Sequence, residues 1–158
     1  MKLSFQKIFL SFLILISGAL FSCDRNRLFE ENILIEQGSW NAKKPAVFDV
    51  EISELNRRYN IYLNVRNSPD YQYSNLFLFL TTSMPDGKKS RDTLELTLAD
   101  YDGRWLGSGM GSVKFSRFLL KKSLQFTQKG KYRFELEQAM RVNELKGIRD
   151  IGMRIEKQ

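Results

Sequence analysis

The chain contains no histidine and a single cysteine. Without imidazole, the usual neutral-pH general base is missing, and so are the serine-type triad and histidine-ligated metals. One cysteine cannot make an internal disulfide or a cysteine-rich zinc site. Proline is scarce, with three residues in 158. There is no long Lys/Arg block, no internal repeat and no low-complexity tract. No amphipathic helix stands out. The only long apolar run is Ile8–Phe21, short of the roughly 20 residues a spanning helix needs.

What is present sits first at the N-terminus. Residues 1–7 carry Lys2 and Lys7 and no acid. The apolar run follows and ends in Leu20-Phe21-Ser22-Cys23. This is the layout of a secretion signal, and its end resembles the bacterial lipobox. The pattern has Leu at −3, a small residue at −1 and Cys at +1, with Phe21 bulkier than the usual −2 residue. The small Ser22 admits signal peptidase, and the Cys23 thiol takes diacylglycerol as a thioether. The freed amine can then be acylated, for instance with palmitate. One acyl chain anchors only marginally, at ~0.8 kcal/mol per buried CH₂, whereas two or three anchor stably. The expected sites are therefore cleavage between Ser22 and Cys23 and lipidation of Cys23. Asp24 and Arg25-Asn26-Arg27 follow, with no acidic cluster of the kind that exports some bacterial lipoproteins to the cell surface. An anchor in the outer membrane, facing the periplasm, is expected.

The mature chain of 136 residues suits one domain with a real core. Its charge falls from +7 to +5 once Lys2 and Lys7 leave with the signal. That balance is compatible with an anionic membrane surface nearby and does not point to nucleic acid. Leu28–Ser39 reads as a tether, with Trp40 as first core anchor and Asn41–Pro45 as a turn. From there the period is two. Phe48, Val50 and Ile52 alternate with acids, and Tyr59, Ile61, Leu63 and Val65 with polar residues. Leu76–Leu80 is continuous, as in a central strand buried on both faces. Thr93–Leu98, Leu124–Thr127, Tyr132–Leu136 and Ile148–Ile155 complete the strand-like runs. Turn signals recur at Asn67–Asp70, Pro85-Asp86-Gly87 and Asp100–Gly103. Short helical turns fit only at Asn56–Arg58 or Ser116–Lys122. The fold class expected is all-β, an antiparallel sandwich of jelly-roll type. The division expected is a lipoprotein signal over 1–22, a lipidated N-terminus and tether over 23–40, and the sandwich over 41–158.

Several constellations invite a functional reading, each beside a plainer one. Asp100-Tyr101-Asp102-Gly103 is a fragment of a calcium loop, but Gly107 and Ser108 follow where further ligands belong. A hairpin turn explains it. Gly107–Ser112 looks superficially like a phosphate loop, yet strand-like sequence follows rather than a helix, so close backbone approach explains it better. Asp70, Asp86, Asp100, Asp102 and Asp150 could pair for glycoside hydrolysis, but acids in turns are common for backbone reasons. No metal site and no cofactor are expected. Tyr71, Tyr73, Tyr101 and Trp105 lie near loops, where aromatics on a jelly roll could stack on sugar rings; the alternative is packing. Lys88-Lys89 with Arg91, and Lys121-Lys122, could face lipid phosphates or simply be solvated.

An ordered series of motifs then carries a resemblance. Tyr59–Asn67 leads to Tyr71-Gln72-Tyr73-Ser74-Asn75-Leu76-Phe77-Leu78. Pro85-Asp86-Gly87, Asp92-Thr93-Leu94-Glu95 and Gln138-Ala139-Met140-Arg141 follow, and the chain closes on Gly147–Glu156. The series resembles the gliding motility lipoprotein GldH family of Bacteroidetes over nearly the whole mature chain. The resemblance implies a component of the gliding machinery, which is linked to type IX secretion and moves surface adhesins. Members also occur in bacteria that do not glide. No catalytic residue is implied; only the lipidated cysteine transfers, onto Cys23. The expectation is a non-enzymatic envelope lipoprotein, partnered by the bilayer through Cys23 and by other gliding or secretion proteins. A glycan- or peptidoglycan-binding lipoprotein is the alternative.

Overall fold

The period-two alternation resolves into ten strands in a computed structural model that describes residues 24–109 and 111–158. They are β1 (Arg27–Leu34), β2 (Ser39–Asn41), β3 (Ala46–Ile52), β4 (Tyr59–Asn67), β5 (Asn75–Ser83), β6 (Lys89–Thr97), β7 (Lys114–Leu124), β8 (Gly130–Gln138), β9 (Glu144–Lys146) and β10 (Ile148–Lys157). Among the described residues the one helical element is a 3₁₀ turn at Glu36–Gly38. None of the described helices is long and apolar enough to cross a membrane.

One sheet has the order β1-β10-β4-β7 and the other β3-β8-β5-β6, and every pairing in them is antiparallel. Set aside the short β2–β9 ribbon and number the remaining eight strands along the chain. The sheets then read first-eighth-third-sixth and second-seventh-fourth-fifth. That is the double Greek key of a jelly roll, as the sequence pattern implies.

The core fills the space between the sheets. Phe48, Val50 and Ile52 point in from β3, and Ile61, Leu63 and Val65 from β4. Leu78 from β5, Phe134 from β8 and Met153 from β10 meet them; none of these side chains is more than 4% exposed. Each such burial is worth roughly 1.5–3 kcal/mol before chain entropy is counted. Trp40 in β2 is buried opposite Leu145 in β9, and its indole N–H donates to the Lys44 carbonyl at 2.9 Å. The ribbon closes one corner of the sandwich.

Four local expectations are corrected. The segment expected to be a tether includes β1, which pairs along β10 from Arg27↔Glu156 to Leu34↔Asp150. Phe29 and Ile33 pack on the core from it, so the strand buries apolar surface that a free tether would expose. Ser116–Lys122 is not a helical turn but lies inside β7, because Phe118 and Leu120 alternate inward while β4 supplies backbone partners. Leu124 ends β7, and residues 125–127 are irregular rather than a separate strand. Finally, β5 lies between β8 and β6 but is fully buried on one face only. Leu76, Leu78 and Leu80 are interior, while Phe77 and Phe79 are half-buried outside, with the Arg91 guanidinium 4.5 Å from the Phe79 ring.

The topology gives the sandwich two unlike ends. The segment before β1, the β3–β4, β5–β6 and β7–β8 connections and the C-terminus gather at one end. Bonds from Lys157 N–H to the Asn26 carbonyl, from Gln158 N–H to the Arg58 carbonyl, and from Gln128 to Asp86 tie them together. The β1–β3, β4–β5, β6–β7 and β8–β10 connections gather at the other.

Candidate functional site

Ser22 and Cys23 lie outside the described residues, as does the whole of 1–22. Asp24, directly after the expected anchor, is the first of the described residues. What holds Asp24 is therefore the described contact nearest to the expected anchor.

Strand β10 builds the site. Its alternation sends Ile151, Met153 and Ile155 into the core and Asp150, Gly152, Arg154 and Glu156 to the outer face. Arg154 is only 7% exposed even so. Its register opposite Glu30 on β1 and Tyr62 on β4 walls it in. Three carboxylates surround the guanidinium. Nη1 donates to Glu30 at 2.5 Å, Nε donates to Glu156 at 2.6 Å, and Nη2 donates to Asp24. Glu30 is shared with a second arginine, since Arg117 Nη2 donates to its Oε1 at 2.9 Å. Arg117 also donates from Nε to the buried Asn64 at 2.8 Å and lies near the Tyr62 and Phe115 rings. Gly152 leaves room for Asn32 between β1 and β4: a Cβ there would stand 1.9 Å from the Asn32 side-chain oxygen.

The electrostatics run in one direction. The hydrogen bond from Arg154 holds the Asp24 carboxyl below its ordinary value. Burial pushes Glu30 up, but the hydrogen bond and charge of Arg154, with Arg117 and Arg27, hold it below the usual carboxylate range. Burial alone would lower the Arg154 guanidinium, and its three carboxylate partners raise it instead. Asp24, Glu30 and Arg154 are thus each shifted toward the charged form. A general acid needs a carboxyl pushed the other way. The cluster can hold the chain start against the sheet, and the shifts of Asp24 and Glu30 run opposite to that requirement.

The other expected sites resolve individually. Asp100 Oδ1 accepts from the backbone N–H of Asp102 and Arg104, at 3.0 and 2.8 Å, and Asp102 pairs with Arg104. Gly103 takes a positive φ of 77°. This is the hairpin turn, with the carboxylates already committed. Asp86 accepts from Gln128 and from the Lys88 N–H, which together hold it down at about 2. It sits at the Asp24 end, opposite Asp100 and Asp102. Asp150 is buried and paired with Arg66 at 2.7 Å. In the glycine-rich stretch, a Cβ on Gly107 would lie 2.8 Å from the Phe115 carbonyl, so close backbone approach explains it. Met110 lies outside the described residues.

The expected sugar platform does not form as one exposed surface. Tyr71 is 3% exposed, and its hydroxyl donates to the Asn75 carbonyl at 2.7 Å. Its ring packs on Tyr73 and Trp105, with centroids 5.6 and 6.4 Å away. These three seal the end of the sandwich remote from Asp24. Tyr101 alone stands fully in solvent, at the tip of the β6–β7 connection.

Sequence reasoning missed Arg154. Alternation put it outside on a strand, where an arginine is ordinarily solvated. Only the register of β1 and β10 brings Asp24 and Glu30 to it. The available signal was a lone arginine in the run Ile151-Gly152-Met153-Arg154-Ile155, two residues after a glycine on the same strand face.

Comparison with known proteins agrees with the resemblance. A family model described as GldH lipoprotein matches residues 27–155. A protein named gliding motility lipoprotein GldH homolog, from Christiangramia forsetii, is 39% identical over 95% of this chain and 93% of its own length. Gliding motility lipoprotein GldH of Flavobacterium johnsoniae is 35% identical, over 91% and 93%. Among solved structures, latent PorU from Porphyromonas gingivalis overlays 84% of this chain on 13% of its own, at 10% identity and a TM-score of 0.36, below the level of a shared fold.

Proposed function

From the premise that the chain belongs to the GldH lipoprotein family, we propose that it is a non-enzymatic docking component of the gliding machinery, linked to type IX secretion and held at the membrane by acylated Cys23. The observation that carries the reading is the family match across 27–155, which covers the jelly roll from β1 into β10. The Asp24–Arg154 bond supports the anchoring part. It makes the first mature residues part of the rigid domain, so a lipid on Cys23 would hold the sandwich close to the bilayer. Consecutive Cα atoms are about 3.8 Å apart. The domain then offers its loops and sheet edges to envelope partners. In this proposal the anchor lies in the outer membrane and the domain faces the periplasm.

Affinity capture of the anchored protein from gently solubilised envelopes tests the docking. Recovery of gliding or secretion envelope proteins supports it. Recovery of no envelope partner, with the acylated bait intact, would refute it. Substituting Tyr101, the one of the four candidate aromatics that stands in solvent and outside the core, separates docking from glycan binding. Loss of sugar binding with complex assembly intact would favour the glycan reading.

A further inference from the structure

The two ends of the sandwich carry very different charge. The connections and termini at the Asp24 end, together with the strand ends that lead into them (Arg27 of β1, Lys89 of β6, Lys121–Leu124 of β7 and Lys157 of β10), are residues 24–27, 53–58, 84–89, 121–129 and 157–158. They hold ten lysines and arginines against three acids, Asp24, Glu54 and Asp86. The remote end is built from residues 35–45, 68–74, 98–113 and 139–147, and holds five of each sign. The sequence shows these basic residues only as scattered pairs. The jelly-roll topology brings five separate segments to one end.

The basic side chains there are placed for a partner outside the chain. Arg58, Lys89, Lys121, Lys122 and Lys129 are exposed, and none has a carboxylate within salt-bridge distance among the described residues. Two of them, Arg58 and Lys129, line an open cleft of about 810 Å³ together with Glu54, Arg57 and Gln158. Such a concentration of unpaired charge is unfavourable by itself and stands ready for a polyanionic surface.

We infer that this end is a membrane-facing platform that docks on anionic phospholipid headgroups. Two facts select that occupant over another polyanion. Asp24 sits at this end, and Cys23 is the next residue toward the N-terminus, so a lipid anchor there puts the platform against a bilayer before any other surface. The charge is also complementary to phosphate and spread over several loops, as a flat interface of many headgroups requires. The inference rests on the acylation of Cys23. Its consequence is orientation: the basic end lies on the lipid, and the neutral end, with Tyr101 at its tip, faces away.

The test uses the full acylated protein reconstituted in phosphatidylcholine vesicles, with or without phosphatidylglycerol. With Cys23 acylated, one introduced cysteine is the sole free thiol. Gln125→Cys labels the basic end and Tyr101→Cys the remote end. A fluorophore on each is quenched by a spin label on lipid headgroups. Stronger quenching at 125 than at 101, increased by phosphatidylglycerol and reversed by high salt, is expected. The exposed set R58Q/K121Q/K122Q/K129Q removes four charges, each worth about a fivefold factor near an anionic surface. The docked fraction relative to free should fall at least about tenfold. Equal quenching at both positions, or quenching at 125 indifferent to phosphatidylglycerol and to the four substitutions, would overturn the platform while leaving the anchor intact. Failure of labelled fatty acid to enter the chain would instead sink the anchor, and the platform with it.

Discussion

Replacing Arg154 with alanine should destabilise the domain and free the chain start. The substitution removes a guanidinium that is 9% exposed in its side chain from between Glu30, at 19%, Glu156, at 24%, and Asp24. Breaking a fully buried pair costs about 3–5 kcal/mol, because the partner charge stays buried and unmatched. Here the carboxylates are partly solvated and Glu30 keeps Arg117, so the cost is discounted to about 1–2 kcal/mol. At about 4 °C per kcal/mol for a domain of this size, melting falls by roughly 4–8 °C. The pH dependence carries a second signature. Glu30 is held below its ordinary value of 4.5, so its stabilisation is present above that pH and is lost as pH falls through the lower folded value. The gap in melting temperature between wild type and Arg154→Ala should therefore be widest near neutrality and narrow in acid. Calorimetry at a series of pH values measures it, and hydrogen exchange at residues 25–30 reports the fraying. A variant that melts with the wild type at neutral pH, with β1 equally protected, would refute the reasoning.

Four further outcomes follow from the geometry. Gly152→Ala should cost about 1–3 kcal/mol by chemical denaturation, since the new Cβ meets the Glu31 carbonyl at 2.9 Å as well as Asn32. Tyr71→Ala should cost about 3–5 kcal/mol as a large-to-small core change, while Tyr71→Phe should lose only about 1 kcal/mol for the bond to Asn75. Tyr101→Ala, at an exposed turn tip, should melt within about 0.5 kcal/mol of wild type. Asp86→Asn should flatten the acid limb of the stability curve. The Asp86 contribution is present above pH 3.8 and is lost as pH falls through about 2.

Much of the fold was legible because it depends on alternation and turn chemistry. Val50 and Ile52, Ile61 and Leu63, and Phe134 and Leu136 all lie on the faces their period assigns. Asp86-Gly87 and Asp102-Gly103 turn the chain where those residues supply the needed conformations. What was illegible depends on contacts far apart in sequence. Strand β1 read as a tether because Glu30 and Glu31 interrupt its apolar residues. Its pairing with β10, more than a hundred residues away, makes it a strand. The same distance hid the Arg154 cluster. The basic end was hidden for a topological reason: Arg58, Lys89, Lys122 and Lys129 reach the same end of the sandwich only through the double Greek key. The aromatic residues misled in the other direction. Proximity to predicted loops suggested exposure for Tyr71, and the fold uses that ring to close the sandwich.

The central claim is that a rigid jelly roll is fixed to an envelope membrane by its own first mature residue. Mass spectrometry of the N-terminal peptide of protein purified from its native membranes tests this directly. The account predicts a chain that begins at Cys23, with diacylglycerol on the thiol and residues 1–22 gone. A chain that begins elsewhere, or carries an unmodified Cys23 thiol, would contradict it.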